Sequence, residues 1–164
     1  KEQGYSKLTA RELAKYIGCS TQPIFKNYEN FDMYKEDLKF YLRKDYSSFI
    51  YKYVDIKDYL YTISYAYAFY AKKEPNAFFS LFMADLAGSR TVEEVLNTDR
   101  NFETIEAMVK QYNITLEEAK RVYREVRFYT HGIATQLCVN SIKLTDREIK
   151  DLIRNNIEIN LRGI

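Results

Sequence analysis

Residues 8–30 read LTARELAKYIGCSTQPIFKNYEN and contain two short helical patterns separated by a Gly-Cys break. The first pattern opens with Thr9 three residues before Glu12, which is the spacing of a capping box at a helix N-terminus. Gly18 can adopt the positive φ angle that a tight corner often needs. Pro23 falls in the first turn of the second pattern, where its missing N–H has no intrahelical partner. The stretch therefore predicts two helices joined by a tight turn, as in a helix-turn-helix.

The two predicted helices have an inner and an outer face. Their periodicity turns five side chains inward: Leu13, Ala14, Ile17, Ile24 and Tyr28. We also expect Cys19 to pack in the turn and Ser20 to cap the second helix. The outer face carries groups that can contact bases, thymine methyl groups or phosphates. The predicted DNA-contacting residues are Thr9, Ser20, Thr21, Gln22, Pro23, Phe25, Lys26 and Asn27. The alternative is a helical hairpin at a domain corner.

Composition and charge are compatible with this interpretation. The chain has 164 residues, of which 46% are hydrophobic and 29% charged, a balance typical of globular proteins with a sizeable core. Residues 1–46 carry nine Lys and Arg against seven Asp and Glu, whereas residues 47–164 carry sixteen of each, so the net charge of +2 lies in the N-terminal quarter. This mild excess favours an anionic partner such as DNA, with an ordinary solvated surface as the alternative.

Other residue types argue against several classes of protein. Cys19 and Cys138 lie far apart and lack metal-ligand spacing, and His131 is the one histidine, so we predict no metal, no cofactor, no catalytic residues and no enzyme. His131 is expected to be a packed or pocket-lining imidazole. The apolar stretch at residues 59–71 is shorter than the roughly 20 residues of a membrane span. We therefore expect a cytoplasmic protein without a membrane partner.

Helix signals continue along the whole chain. Four Thr residues stand three positions before a Glu, as in capping boxes: Thr9, Thr91, Thr115 and Thr145. The chain has five Gly and two Pro and shows no strand-turn-strand pattern, so the sequence predicts an all-α fold. Helices are expected at residues 10–17, 21–28, 31–53, 56–73, 76–87, 92–96, 99–112, 116–141 and 146–161.

Residues 8–38 resemble the TetR family of bacterial transcriptional regulators. The resemblance lies in a helix, a Gly-containing turn and a recognition helix that ends at residues 24–28, Ile-Phe-Lys-Asn-Tyr. It implies a helix-turn-helix DNA-binding domain at residues 1–46 and a helical ligand-binding and dimerisation domain at residues 47–164. It also implies a first helix that ends at residues 1–4 and packs beneath the helix-turn-helix, so we expect the DNA-binding domain to be incomplete at its N-terminus.

Two positions depart from the family pattern. Phe25 stands where the family usually has a Tyr whose hydroxyl reaches phosphate, and Phe31 stands where a Lys commonly opens the next helix. Both substitutions affect phosphate contacts more than the fold.

Residues 58–71 read DYLYTISYAYAFYA, with apolar or aromatic groups all round, and predict a central helix. Together with the family resemblance, the aromatic residues of this and later helices indicate a ligand pocket. The predicted pocket residues are Tyr59, Tyr65, Phe69, Phe78, Phe82, Met83, Met108, Tyr112, Phe128 and His131. A plain aromatic core is the alternative. Asp85 could meet a cationic ligand, or be solvated or paired.

The last two predicted helices indicate a dimer interface. Residues 126–139, VRFYTHGIATQLCV, are apolar on more than one face, and the terminal helix carries an apolar stripe. The predicted interface residues are Tyr129, Ile133, Leu137, Ile149, Leu152, Ile153 and Ile157. Gly132, within a helix, favours close backbone approach there.

These features predict a homodimeric transcriptional regulator. A repressor that binds a roughly palindromic double-stranded DNA operator and is released by an apolar or aromatic small molecule fits them best. The alternative is an all-α interaction or lipid-carrier protein that does not bind DNA.

Overall fold

The computed structural model describes residues 8–83, 90–162 and 164. Within these ranges every regular element is helical, which confirms the all-α prediction. The α-helices of the described residues are α1 Ala10–Ile17, α2 Gln22–Asn27, α3 Phe31–Tyr51, α4 Tyr59–Lys73, α5 Pro75–Phe82, α6 Val92–Leu96, α7 Asp99–Tyr112, α8 Leu116–Cys138 and α9 Asp146–Leu161. None of the helices described is long and apolar enough to cross a membrane.

All four predicted capping boxes are present, at the starts of α1, α6, α8 and α9. In each box the Thr hydroxyl accepts the backbone N–H of the Glu, and the Glu carboxylate accepts the backbone N–H of the Thr. At α9 the second bond is 2.7 Å long, from Thr145 N to Glu148 Oε2. Hydrogen bonds donated by the backbone N–H and the hydroxyl of Thr145 hold the pKa of this carboxyl below its ordinary value. Local sequence therefore determines where these helices begin.

Several helix ends differ from prediction for local reasons. The helix expected from residue 56 begins as a 3-10 turn at Ile56–Asp58, where the Asp55 carboxylate accepts the backbone N–H of Lys57. The helix expected to reach residue 141 ends at Cys138, because Asn140 adopts a left-handed φ of 55°. The helix expected at 76–87 begins at Pro75 and ends at Phe82, and its last predicted residues, with Asp85, lie outside the described residues.

Helix α4 is the central helix of the main core, as predicted. It contacts α3, α5, α7, α8 and α9, and nine of its side chains are buried. Small residues such as Ala66, Ala68 and Ala71 are fully buried and allow neighbouring helices to approach closely.

Helix α9 packs its apolar stripe against α4 and α8. Ile149, Ile153 and Ile157 are at most 3% exposed and belong to the main core. We predicted these residues at a dimer interface, and this is corrected because the chain itself covers them. Leu137 on α8 lies in the same core.

Helices α1 and α2 form a second, smaller apolar cluster. Ala10, Ala14 and Ile24 are its buried members, and Leu13, Tyr28 and Phe31 pack against them. Gly18 adopts the expected left-handed conformation, with φ of 73°. Two predicted positions are wrong: Ile17 is 58% exposed and Cys19 is exposed, because α2 covers α1 mainly at the Ala10 and Ala14 side.

Helix α3 extends from the small cluster to the main core. At its start, Phe31 packs against the small cluster, and the Tyr28 hydroxyl donates a hydrogen bond of 3.0 Å to Asp37. At its end, Tyr46 and Phe49 pack against the main core. At 21 residues α3 is about 32 Å long. It therefore provides a continuous physical link between the two clusters.

Candidate functional site

The exposed face of α2 is the first candidate site. Ile24 is buried and anchors the helix, which turns Gln22, Phe25 and Lys26 outward. Phe25 is 49% exposed although it is a large apolar residue. No hydrogen bond joins the side chains of Gln22 or Lys26 to another residue in the part of the chain that the structure describes. These three side chains are therefore available to a partner.

Other predicted DNA-contacting residues have local roles. The Thr9 hydroxyl belongs to the capping box of α1. The Ser20 hydroxyl accepts the backbone N–H of Gln22 at 3.3 Å, as a cap does, although Thr21 directly precedes the helix. The Asn27 amide donates to the carbonyl of Pro23 at 2.8 Å. Thr21 is half-buried and Pro23 is exposed.

A cavity beside α8 is the second candidate site. It has a volume of about 220 Å³ and is bounded by residues of α4, α5, α6 and α8. Its apolar lining residues are Leu81, Phe82, Val92, Val95, Leu96 and Phe128. Its polar lining residues are Tyr67, Arg90, Thr91, Arg124, Arg127 and His131. The cavity is therefore mixed in character, with an aromatic wall and a cationic wall.

Three of the ten predicted pocket residues line this cavity: Phe82, Phe128 and His131. Phe78 and Met108 are fully buried in the main core instead. Tyr65 and Phe69 stack on each other with ring centroids 5.4 Å apart, away from the cavity lining. The remaining predicted residues are half-buried and do not line it: Tyr59, Met83 and Tyr112.

A smaller inner cavity adjoins the first one and shares Tyr67 and Arg127 with it. Its volume is about 50 Å³. Its other lining residues are Tyr46, Ile63, Ser64, Arg100, Asn101, Tyr123 and Thr130. Eight of the nine described residues that line this inner cavity have polar side chains, against six of the twelve that line the outer one.

His131 is held in the wall of the outer cavity by Tyr67. The Tyr67 hydroxyl lies 2.8 Å from Nδ1 of His131. Burial and the nearby positive charge of Arg127 lower the pKa of His131. Burial raises the pKa of the Tyr67 phenol. Both groups are therefore uncharged at neutral pH.

Sequence reasoning missed the arginines of these cavities. Arg124, Arg127 and His131 lie three or four residues apart on α8 and therefore share one face of the helix. This spacing is a signal in the sequence, but charged residues on a long helix are usually solvated, so the pattern alone did not distinguish a cavity from a surface.

An apolar groove on the outside of α8 and α9 is the third feature. It has a volume of about 330 Å³, and its lining residues are Phe128, Tyr129, Gly132, Ile133, Gln136, Ile142, Leu144 and Leu152. Three predicted interface residues therefore lie together here: Tyr129, Ile133 and Leu152. A Cβ atom added at Gly132 would meet nothing within 4 Å, so the helix backbone is accessible at this position.

Comparisons with protein-family models, with curated proteins and with solved structures find no match for this chain. No group of three or more His, Cys, Asp or Glu side chains suited to a metal ion occurs among residues 8–83, 90–162 and 164. The chemistry of α2, of the two cavities and of the apolar groove is therefore the basis for a functional assignment.

Proposed function

We propose that the chain is a ligand-responsive, DNA-binding transcriptional repressor of the TetR type. The observation that carries the proposal is the exposed face of α2, where Gln22, Phe25 and Lys26 point outward from a helix anchored by buried Ile24. In this proposal α1, the turn at Gly18 and α2 form a helix-turn-helix, and α2 enters the major groove.

The three outward side chains supply complementary contacts to DNA. Gln22 can form a bidentate hydrogen-bond pair with adenine, and Phe25 can contact a thymine methyl group. Lys26 can neutralise a phosphate. Residues 1–46 then form the DNA-binding domain, and residues 47–164 form the domain that binds a ligand and a second copy of the chain.

The ligand domain can act on the DNA-binding domain through α3. Phe82 in the cavity wall contacts Tyr46 of α3, with ring centroids 4.9 Å apart. A small apolar or aromatic molecule that fills the outer cavity presses on Phe82 and therefore on α3. Because α3 also contacts the small N-terminal cluster, its movement changes the position of α2. Ligand and operator then oppose one another, with a typical coupling of about 1 to 3 kcal/mol.

The apolar groove on α8 and α9 is the surface that we assign to a homodimer. Phe128 is 57% exposed, and Tyr129 and Ile142 are also exposed. Pairing two such grooves removes this apolar area from water, and the accessible backbone at Gly132 allows close approach of a partner helix. Two copies of α2 would then read half-sites of a roughly palindromic operator, about 34 to 36 Å apart or a multiple of that distance.

Selection from a library of random DNA duplexes, followed by fluorescence anisotropy with the enriched duplex, tests the proposal. We expect an enriched, roughly palindromic sequence that binds more tightly than a shuffled duplex of the same composition. Failure to enrich any sequence, or equal affinity for the shuffled duplex, contradicts the proposal and favours an interaction or lipid-carrier protein.

A further inference from the structure

The two adjoining cavities contain four arginines and no acidic side chain among their described lining residues. Arg90, Arg124 and Arg127 line the outer cavity, and Arg100 and Arg127 line the inner one. Arg124 is paired with Glu125 at 2.9 Å. The other three arginines form no ion pair with any residue in the described part of the chain.

Arg100 and Arg127 provide the positive charge of the inner cavity. One Arg100 nitrogen, Nη2, donates a hydrogen bond of 2.8 Å to the Ser47 hydroxyl, and the guanidinium lies 5.2 Å from the centre of the Tyr51 ring. Its Nε atom is buried without a hydrogen-bond partner. Arg127 is half-buried, and its charge contributes to the lowered pKa of His131 after the effect of burial. Arg100 therefore brings one hydrogen-bond donor without a partner to the lining of the inner cavity.

Thr130 gives independent evidence that this cavity is built for a polar guest. Its side chain lines the inner cavity and is 2% exposed, yet its hydroxyl oxygen has no hydrogen-bond partner. Buried hydroxyl groups are nearly always hydrogen-bonded, because an unpaired one costs free energy. Thr130 and Arg100, which both line the inner cavity, therefore each have one buried polar atom without a partner.

We propose that the ligand of these cavities is an organic carboxylate with an apolar or aromatic body. The carboxylate lies in the inner cavity beside Arg100 and Arg127, and the body lies in the outer cavity against Leu81, Phe82 and Val95. The volumes of about 50 Å³ and 220 Å³ match a small anionic head and a larger apolar body. The inference rests on the proposed function in one respect: the ligand whose chemical class it names is taken to be the one that regulates DNA binding.

Charge decides between a carboxylate and a neutral or cationic ligand. A guanidinium withdrawn from water without a counter-charge is unfavourable, and a carboxylate supplies both that charge and two planar acceptor oxygens. A neutral amide of the same shape lacks the charge, and an amine would add a further positive charge to a site that already has several.

Calorimetric titration with matched probes at pH 7.5 tests the proposal in the absence of DNA. The probes are benzoate, octanoate and 1-naphthoate, each compared with its primary amide. We expect at least one carboxylate to bind roughly 10- to 100-fold more tightly than its amide, which is the range typical of hydrogen bonds to a charged group. If no carboxylate in the series binds more tightly than its amide, the proposal is overturned.

A matched pair of variants locates the preference. Arg127→Gln should abolish the difference between the carboxylate and its amide, whereas Arg121→Gln, an exposed position of the same helix outside both cavity linings, should retain it. Retention of the full preference in both Arg127→Gln and Arg100→Gln overturns the proposed site. Circular dichroism of each variant verifies the helical fold before titration.

The outcome for the ligand is separable from the outcome for DNA. A carboxylate preference that depends on Arg127, in a protein that enriches no duplex, supports the anion site and contradicts the regulatory function. Sequence-specific DNA binding without any carboxylate preference supports the regulator and contradicts the anion site.

Discussion

Tyr67 and His131 are joined by a contact of 2.8 Å between the phenol oxygen and Nδ1, which links α4 to α8 in the cavity wall. Tyr67 lines both cavities and His131 lines the outer one. The contact therefore fixes part of the cavity wall across two helices that are distant in sequence.

The first prediction concerns the pH dependence of stability. The pKa of His131 is lowered in the folded state from its ordinary value of 6.5. As the pH falls, the unfolded chain therefore binds a proton at this residue more readily than the folded chain does. The free energy of unfolding should therefore decrease between pH 7.5 and pH 5.5. His131 is the one histidine of the chain, so His131→Gln should remove most of this decrease.

Urea unfolding of both proteins at the two pH values measures this difference. A wild-type protein whose free energy of unfolding is unchanged, or a His131→Gln variant with the same decrease as wild type, would show that the environment of His131 is assigned incorrectly.

The second prediction distinguishes core from interface on α8 and α9. Tyr129→Glu places a charge in the exposed groove and should shift a dimer towards monomer with little loss of stability. Ile153→Glu buries a charge in the main core and should lower the free energy of unfolding by more than about 3 kcal/mol.

Sedimentation velocity and urea unfolding measure the two effects. A dimer of unchanged strength in Tyr129→Glu would exclude the groove as the interface. A stable Ile153→Glu protein would contradict the placement of Ile153 in the core.

The third prediction concerns the start of α8. Thr115→Ala removes the hydroxyl that accepts the backbone N–H of Glu118 and should reduce stability by about 1 kcal/mol. Thr115→Ser keeps a hydroxyl and should lose less. Equal thermal denaturation midpoints for the wild-type protein and Thr115→Ala would indicate that this capping box does not stabilise the helix.

The fourth prediction concerns base recognition by Gln22. On an enriched duplex, Gln22→Ala should relax the preference at one base pair by about 1 to 3 kcal/mol, because it removes a bidentate contact. Anisotropy titrations with single-base variants of the duplex measure this. An unaltered preference at every base pair would remove Gln22 from the recognition surface.

Local features of this chain were predictable from sequence. The Thr and Glu of each capping box lie three residues apart, so the interaction depends on one helical turn only. The left-handed corner at Gly18 is also local, because glycine adopts that φ without the steric cost that a Cβ atom imposes. The central position of α4 followed from apolar residues on all its faces.

The roles of particular aromatic residues depended on packing between distant segments. Phe78 and Phe82 lie one turn apart on α5, yet Phe78 is fully buried in the core and Phe82 lines the cavity. Hydrophobicity is the same for both, so periodicity could not separate them. Likewise, the stripe of Ile149, Ile153 and Ile157 indicated burial correctly, but the covering surface is this chain's own α4 and α8.

The most direct test of the central claim is the salt dependence of DNA affinity for Lys26→Ala and for Lys110→Ala, an exposed lysine of α7 used as the matched control. If α2 binds DNA, Lys26→Ala weakens binding to all duplexes and lowers the slope of log K against log salt by about 1 for each bound protomer, while Lys110→Ala leaves both unchanged. Equal affinities and equal slopes for the wild-type protein and Lys26→Ala would contradict the assignment of α2 as the DNA-binding helix.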